Sequence, residues 1–397
     1  MTAIAQTLEL HLPLDPDIVD ELQKLSAWVS PRVRDVRVEA GGRSVRFVVD
    51  GPEDVDGERA KVARFVADMS ERHRGLPRKV IAQRSRRAGA ATDAYGELVR
   101  RGWLVETAPG RVALRGPALR AVRTLDEDCV RIAREDFAAE EETHPSLAPA
   151  GVLARCGCFG SFPQTASFVA HLAEDYDTIE RFRRANSGEA RLVQPAAGAL
   201  APIDACLLPA LCYAVYASRE SRPVAGAGQA VTCAGRCFRY ESRNLTGLER
   251  LWEFGMREVV FLGGDRFVEQ RRALAIDRVM DQLERWDLDG TIETANDPFF
   301  PAARAGRAHW QRSGERKLEL RLAVGTDGDA PRTIASASFN LHERFFGSTF
   351  GITTEEGEVA ASGCVGWGME RWMLACFAQH GFEPEAWPSW LKSRVFP

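Results

Sequence analysis

Arg239 and Glu241 stand two residues apart in the run Cys237-Phe238-Arg239-Tyr240-Glu241, which closes a β-like stretch. In a strand that spacing puts both side chains on one face. A polar loop, SRNLTGLERLW, follows, and a second run, Glu253-Phe254-Gly255-Met256-Arg257-Glu258-Val259-Val260, returns. A hairpin of this kind can grip a nucleotide, because arginine stays charged and its planar fork gives phosphate two parallel hydrogen bonds. An ordinary cross-strand Arg/Glu pair would use the same two residue types.

A second passage, Gly363-Cys364-Val365-Gly366-Trp367-Gly368-Met369-Glu370-Arg371-Trp372, places small residues ahead of an amphipathic helix that ends near His380. Glycines let backbone approach a ligand, and Arg371 on the first turns could reach a phosphate. Glycines that only pack a strand-to-helix junction would give the same pattern. Nine cysteines, an odd number scattered over the chain, fit reduced thiols and metal ligands better than a disulfide framework. Cys156/Cys158 and Cys233/Cys237 form CxC and CxxxC spacings, neither a usual zinc-knuckle pattern, and read as structural thiols. The seven histidines, His309 and His342 among them, form no HxxxH or HExxH arrangement, so histidine ligation is not expected.

The elements that must carry these residues divide the chain in two. Residues 1–88 alternate β-like runs (LELHL, VRDVRVEA, VRFVVD) with two helical patterns, DPDIVDELQKLSAW and GERAKVARFVADMSERH, as a small α+β module. Its end, Arg72 to Arg87, is strongly basic and poor in core residues, and reads as a linker or exposed surface. Residues 89–397 form one larger α+β unit. It contains a long helix from Gly116 into Glu142 that stops at His144-Pro145, the β-like runs QAVTCAGRCFRYE, EVVFLGG, KLELRLAVG and TIASASFNL, and a helix from Phe267 to Trp286. Strands that follow one another with few helices between them predict an antiparallel sheet flanked by helices.

Composition narrows the class. With 397 residues, 45% hydrophobic and 27% charged, the chain suits an ordinary globular protein with a sizeable core. No apolar run of membrane-spanning length or signal-peptide pattern is present, so no membrane partner and a cytoplasmic location are expected. A net charge of −4 and a pI near 6.1 do not describe a dedicated nucleic-acid binder, although a local basic patch remains compatible with one.

Taken together and in order, the two chemical passages resemble motifs 2 and 3 of class II aminoacyl-tRNA synthetases. The runs Phe159–Gln164, Cys212–Tyr216, Cys237–Glu241, Met256–Val260, Asn296–Phe300, Lys317–Leu320, Ser338–Asn340 and Cys364–Arg371 resemble the amino acid:[carrier protein] ligases, relatives of the atypical seryl-tRNA synthetase of methanogens. The resemblance extends from about Asp93 to the C-terminus, roughly three quarters of the chain. It implies a class II synthetase-like antiparallel sheet, and an enzyme that uses ATP to convert a small amino acid, glycine or alanine, into its adenylate and passes it to the phosphopantetheine thiol of a carrier protein.

Residue by residue, the resemblance implies that Arg239 holds the α-phosphate and the attacking carboxylate, and Arg371 the γ-phosphate. Phe254 would stack on adenine opposite Arg371, Glu241 would lie near the adenine edge, and Arg250 would assist with phosphates. It also implies a zinc ion held by Cys212, Glu258 and Cys364, with the fourth tetrahedral place left for the substrate amine. Read alone, Cys212 and Cys364 would be two buried free thiols. Mg2+ should accompany ATP, with Glu319 the first candidate ligand and Ser336 the second. Here the chain departs from the seryl enzymes, reading Thr333-Ile334-Ala335-Ser336 where they place a glutamate before ISS. Lys317 and Asn340 are expected to line the amino-acid pocket.

A homodimer is expected through the long helix, which resembles motif 1. The helix at Phe267–Trp286 occupies the place where the ligases dock their carrier, and Arg271, Arg272, Arg278 and Arg285 are expected to be available to an acidic partner. Two rivals stand beside this assignment. One is a seryl-tRNA synthetase-like enzyme that charges tRNA, ranked second; the other is a non-catalytic paralogue, disfavoured because both arginines and all three zinc-matching residues are retained.

Overall fold

The computed structural model describes residues 3–39, 41–70, 78–85, 93–245, 247–297, 299–300, 307–327 and 330–397. The N-terminal module is a three-stranded antiparallel sheet in the order β1-β3-β2, formed by β1 (Ala3–Glu9), β2 (Val33–Val38) and β3 (Ser44–Asp50). Two helices, α1 (Pro16–Leu25) and α2 (Val55–Ser70), pack on it. Its core is its own: Ile18, Leu22, Val45, Phe47, Val49, Val62 and Met69 are all at most 1% exposed. The first strand starts earlier than the LELHL run suggests, because pairing with β3 runs from Ala3 opposite Asp50 to Glu9 opposite Ser44.

The basic stretch expected as linker contributes a strand. β4 (Val80–Arg84) joins the main sheet by antiparallel pairing with β8 (Gly290–Thr294). Arg84 carries that attachment. Its guanidinium, 7% exposed, donates to Glu284 at 3.0 Å, Asp287 at 2.6 Å, Asp289 at 3.1 Å and the Leu288 carbonyl at 2.9 Å. A basic side chain thus reaches the interior because three carboxylates and a carbonyl meet it there. Residues 71–77 and 86–92, including the expected boundary near Gly89, lie outside the described residues.

After a short helix at Ala94–Arg100 and a hairpin of Leu104–Ala108 with Arg111–Leu114, the larger unit continues with α3 (Gly116–Phe137) and the short β5 (Glu140–Glu142). The helix ends before the expected His144-Pro145 stop. Ala138 turns left-handed at φ 49°, and the Ala139 N–H returns to the Ala133 carbonyl at 2.9 Å, which closes the last turn. Further on come α4 (Cys212–Ala217), the hairpin β6 (Gly228–Phe238) and β7 (Glu253–Gly263), and α5 (Asp265–Trp286). After β8 come β9 (Lys317–Asp327), β10 (Ala330–Glu343), β11 (Ala361–Gly368) and α6 (Met369–His380). Strands β4 to β11 form an eight-stranded sheet in the order β4-β8-β9-β10-β11-β7-β6-β5, antiparallel except at β6/β5.

Side-chain alternation gives this sheet two different faces. Val259 and Phe261 of β7, Leu318, Leu320 and Leu322 of β9, Phe339 of β10, and Val365 and Trp367 of β11 face α3, α5 and α6, where Trp286 and Trp372 complete the core. Lys317, Glu319, Ser338, Asn340, Cys364, Gly366 and Glu258 stand at the alternate positions. No helix of the described residues is long and apolar enough to cross a membrane.

Candidate active site

Register on the open face places the chemistry in rows. Lys317 pairs with Asn340, Asn340 with Cys364 and Cys364 with Val260, so three functional side chains fall in one line across β9, β10 and β11. The next row is Glu319, Ser338, Gly366, Glu258 and Cys233. Neighbouring strands lie about 4.8 Å apart, which fixes the step between members of a row.

Above these rows opens a cleft. Of the side chains singled out in the sequence, Arg239, Glu241, Phe254, Lys317, Glu319, Ser336 and Arg371 line it. Arg250 stands behind Glu241, which it bonds at 2.7 Å. Arg239 is held by its Nε–H donating to the Pro209 carbonyl at 3.0 Å, and its guanidinium lies over the Phe254 ring, 5.2 Å from the centroid. The cation on that ring is thus Arg239. Arg371, on the first turn of α6, donates to the carbonyls of Ala335, at 3.0 Å, and Glu249.

Around Arg371 the surroundings leave room for an anion. Burial, with repulsion from Arg239 and Arg250, pulls Arg371 down to about 10 despite the attraction of Glu241. A guanidinium whose charge is disfavoured by its surroundings gains most from a negatively charged ligand. Lys317 is 9% exposed and bonds Asp297 at 2.8 Å, with Glu319 at 3.5 Å. Burial alone would lower Lys317, yet Asp297 and Glu319 outweigh it and hold the ammonium above its ordinary value.

Beneath the cleft lie the thiols. Met256 and Gly366 line the cavity two residues from Glu258 and Cys364 on the same strand faces. Glu258, 2% exposed, accepts from the backbone N–H of Leu211 at 3.0 Å and of Cys212 at 3.1 Å. A carboxylate on the first amides of α4 is a favourable helix cap. Burial, and then the charge of Cys364, raises that carboxyl to about 7. Cys364 is held far below the ordinary thiol value by the Cys212 thiol donating to it, helped by His342 and Asn340. Asn340 Nδ2 donates to Cys364 Sγ at 3.4 Å.

Among the described residues, the ligand atoms of Cys212, His342 and Cys364 lie within 4.8 Å of one another. Two thiols and an imidazole suit zinc and other borderline-soft metals, so the donor chemistry fits the ion that the resemblance implies, but of the expected ligands only Cys212 and Cys364 stand in this cluster, Glu258 being turned to the Leu211 and Cys212 amides. The expectation that no histidine ligates is corrected at His342, whose partners Cys364 and Cys212 are 22 and 130 residues away in sequence and reach it from the neighbouring strand β11 and from helix α4. Asp297 and Glu370 were also not singled out. Asp297 sat unremarked in the Asn296–Phe300 run, in which Pro298 lies outside the described residues. Glu370, buried at 3%, fastens the Gly255 amide at 2.9 and 3.0 Å and Arg236 at 2.8 Å, which braces the hairpin from α6.

The arginines of α5 are largely spent within the molecule. Arg272 donates to the Glu315 carbonyl, Arg278 bonds Asp136 and Asp281 at 2.6 Å each, and Arg285 bonds Asp128 at 2.6 Å. Arg271 packs over the Phe267 ring at 5.0 Å. The expected availability of four arginines to a partner is therefore corrected to Arg271.

No family model matches the chain. Amino acid--[acyl-carrier-protein] ligase 2 of Bradyrhizobium diazoefficiens is 38% identical over 191 residues, 48% of this chain and 55% of that protein. The chain thus spans about half the length of this relative. The type-2 serine--tRNA ligase of Methanothermobacter thermautotrophicus is 27% identical over 390 residues, covering 92% of this chain and 74% of that protein. Among solved structures, M. kandleri SerRS, crystallised with A. aeolicus tRNASec, superposes with a TM-score of 0.72 at 23% identity, over 99% of this chain and 77% of that one. The fold is that of class II aminoacyl-tRNA synthetases.

Proposed function

We propose that this chain, a relative of amino acid--[acyl-carrier-protein] ligases built on the class II synthetase fold, is a ligase that uses ATP to form the adenylate of a small amino acid and transfers it to the phosphopantetheine thiol of a carrier protein. The observation that carries this reading is the row Lys317, Asn340, Cys364 running beneath an arginine-lined cleft. It offers anion-binding and amine-binding chemistry a few strand widths apart.

In the activation step, Arg239 neutralises the α-phosphate where charge develops as the carboxylate attacks, and Arg371 and Arg250 stabilise the departing pyrophosphate. Phe254 offers a flat apolar surface to adenine, with Glu241 at the base edge. Lys317, fixed by Asp297, and Asn340 orient the amino acid so that its carboxylate meets the phosphorus in line. Zinc held by Cys212, Glu258 and Cys364 would supply a Lewis acid that selects a free α-amine. Glu319 and then Ser336 are the candidate Mg2+ contacts beside the phosphates. Glycine and alanine differ by one methyl group, a difference worth only about 1–3 kcal/mol in a pocket.

The second reading, transfer to tRNA, is favoured by one observation: the match to a type-2 serine--tRNA ligase covers 92% of the chain and so takes in much of the N-terminal module. The higher identity to the carrier-protein ligase supports the first reading. A cytoplasmic homodimer completes the proposal. ATP–pyrophosphate exchange over a panel of amino acids tests activation, and an absence of exchange with every one rejects it. Mass spectrometry of carrier protein and acid gels of tRNA, each incubated with enzyme, ATP and mixed amino acids, separate the acceptors. Labelled tRNA with unlabelled carrier would reverse the assignment.

A further inference from the structure

β10 and β11 do not pair evenly to the end. The register runs Asn340 opposite Cys364 and Leu341 opposite Gly363, then skips, so that Glu343 faces Ser362 and His342 stands alone in a bulge. A bulge re-aims the side chain of its extra residue. Here it brings His342 Nε2 to 3.6 Å from Cys364 Sγ. The ring is fixed by edge-on contacts with Phe346, centroids 4.9 Å apart, and Tyr216, 6.1 Å apart.

That separation has a metrical meaning. Zinc bonds of about 2.3 Å to sulfur and about 2.0–2.1 Å to nitrogen, opened to a tetrahedral angle, set the two donors roughly 3.6 Å apart. The imidazole and the thiol therefore already span a tetrahedral edge. Asn340, donating to Cys364 Sγ at 3.4 Å, supplies an outer hydrogen bond of the kind that steadies a metal thiolate. Glu258 is differently placed. Its oxygens accept the Leu211 and Cys212 amides, which still leaves lone pairs free for a metal.

Resting on the zinc reading above, we propose that His342 is a metal ligand in the resting protein and occupies the fourth position that the substrate amine takes during activation. Cys212, Cys364 and His342, whose ligand atoms lie within 4.8 Å of one another, then hold the ion, with the Glu258 carboxylate, which stands outside that cluster on the Leu211 and Cys212 amides, completing the set on metal binding, and an incoming amino acid competes for a filled place.

Zinc-edge X-ray absorption on the zinc-loaded wild-type protein, without amino acid, reads the ligand set directly. Outer-shell scattering of one imidazole is expected, and its absence overturns the proposal. Titration of metal-free protein with zinc chloride against a chromophoric chelator, and with cobalt(II), tests the residue. His342→Gln keeps an N–H donor and similar volume, whereas His342→Ala removes both. Both variants should bind zinc at least 10-fold more weakly and show an altered cobalt(II) ligand-field spectrum, with circular dichroism of the metal-free proteins as the fold check. If His342→Gln matches wild type in affinity and spectrum, the imidazole serves only as a hydrogen-bond donor and the proposal fails. Wild-type protein that takes up no zinc would bring down the metal reading of the site itself, a distinct result.

Discussion

The indole of Trp28 meets the phenol of Tyr240 edge-on, with ring centroids 5.5 Å apart. Tyr240 in turn meets Trp252 at 4.9 Å, and the Trp252 carbonyl accepts the Arg239 amide at 2.8 Å. An aromatic ladder therefore runs from the N-terminal module to the residue beside the proposed phosphate arginine. Ser242 Oγ adds a long contact to the Ala27 carbonyl at 3.4 Å. An aromatic pair of this geometry contributes about 0.5–1.5 kcal/mol beyond area burial. Trp28→Ala should raise the KM for ATP in pyrophosphate exchange by roughly 2- to 10-fold, and Trp28→Phe should restore most of it. Equal kinetics for wild type and Trp28→Ala would show that the module does not position the hairpin.

Arg371→Ala should abolish protection by ATP. A ligand at about 100 times its Kd adds about 2.7 kcal/mol to stability, an easily read rise in Tm. The variant should melt at the same temperature with and without ATP, because the buried cation that waits for an anion is gone. An unchanged ATP shift would remove Arg371 from the nucleotide site.

Lys317→Met should leave the Asp297 carboxylate without its ammonium and cost about 3 kcal/mol in urea unfolding. Its effect on exchange should fall on the KM for the amino acid more than on that for ATP. A defect confined to ATP would reassign Lys317 to the phosphates.

Arg84→Ala strips β4 of its anchor to the turn after α5. Three carboxylates lose their shared cation, two of them partly solvated, so a cost of about 2–3 kcal/mol is expected. Hydrogen exchange of the β4 and β8 amides should rise before that of β9 to β11. Uniform exchange across the sheet would show that the edge strand does not open separately.

Charge reversal separates Arg271 from Arg278. Arg271→Glu should slow transfer to an acidic carrier while leaving exchange intact, and the defect should shrink at high salt. Arg278→Glu faces Asp136 and Asp281 and should lower Tm instead. Transfer unaffected by Arg271→Glu would take this helix out of the docking surface.

The sheet, its helices and the two arginine passages were legible in the sequence because alternation and glycine spacing are local signals. QAVTCAGRCFRYE gave β6, and the helix expected from Phe267 became α5 starting at Asp265. What local patterns could not give is register. Nothing near His342 in the sequence announces a thiol, and Lys317 meets Asp297 only because Ala295 hydrogen-bonds to the Lys317 carbonyl at 3.0 Å. The strand inside the basic segment was hidden for a related reason. Arg84 looks like a surface residue until the carboxylates at 284, 287 and 289 are known to surround it.

The two-faced sheet also limits how this molecule can change. Inserting or deleting one residue in the evenly paired stretches of β9, β10 or β11, unless a bulge like that at His342 absorbs it, would exchange the sides, sending Lys317, Asn340 or Cys364 into the tryptophan-rich interior and bringing leucines into the cleft. Length variation in these strands is therefore confined to bulges such as the one that carries His342. New substrate preference must come from point replacements on the open face, or from the loops that overhang it.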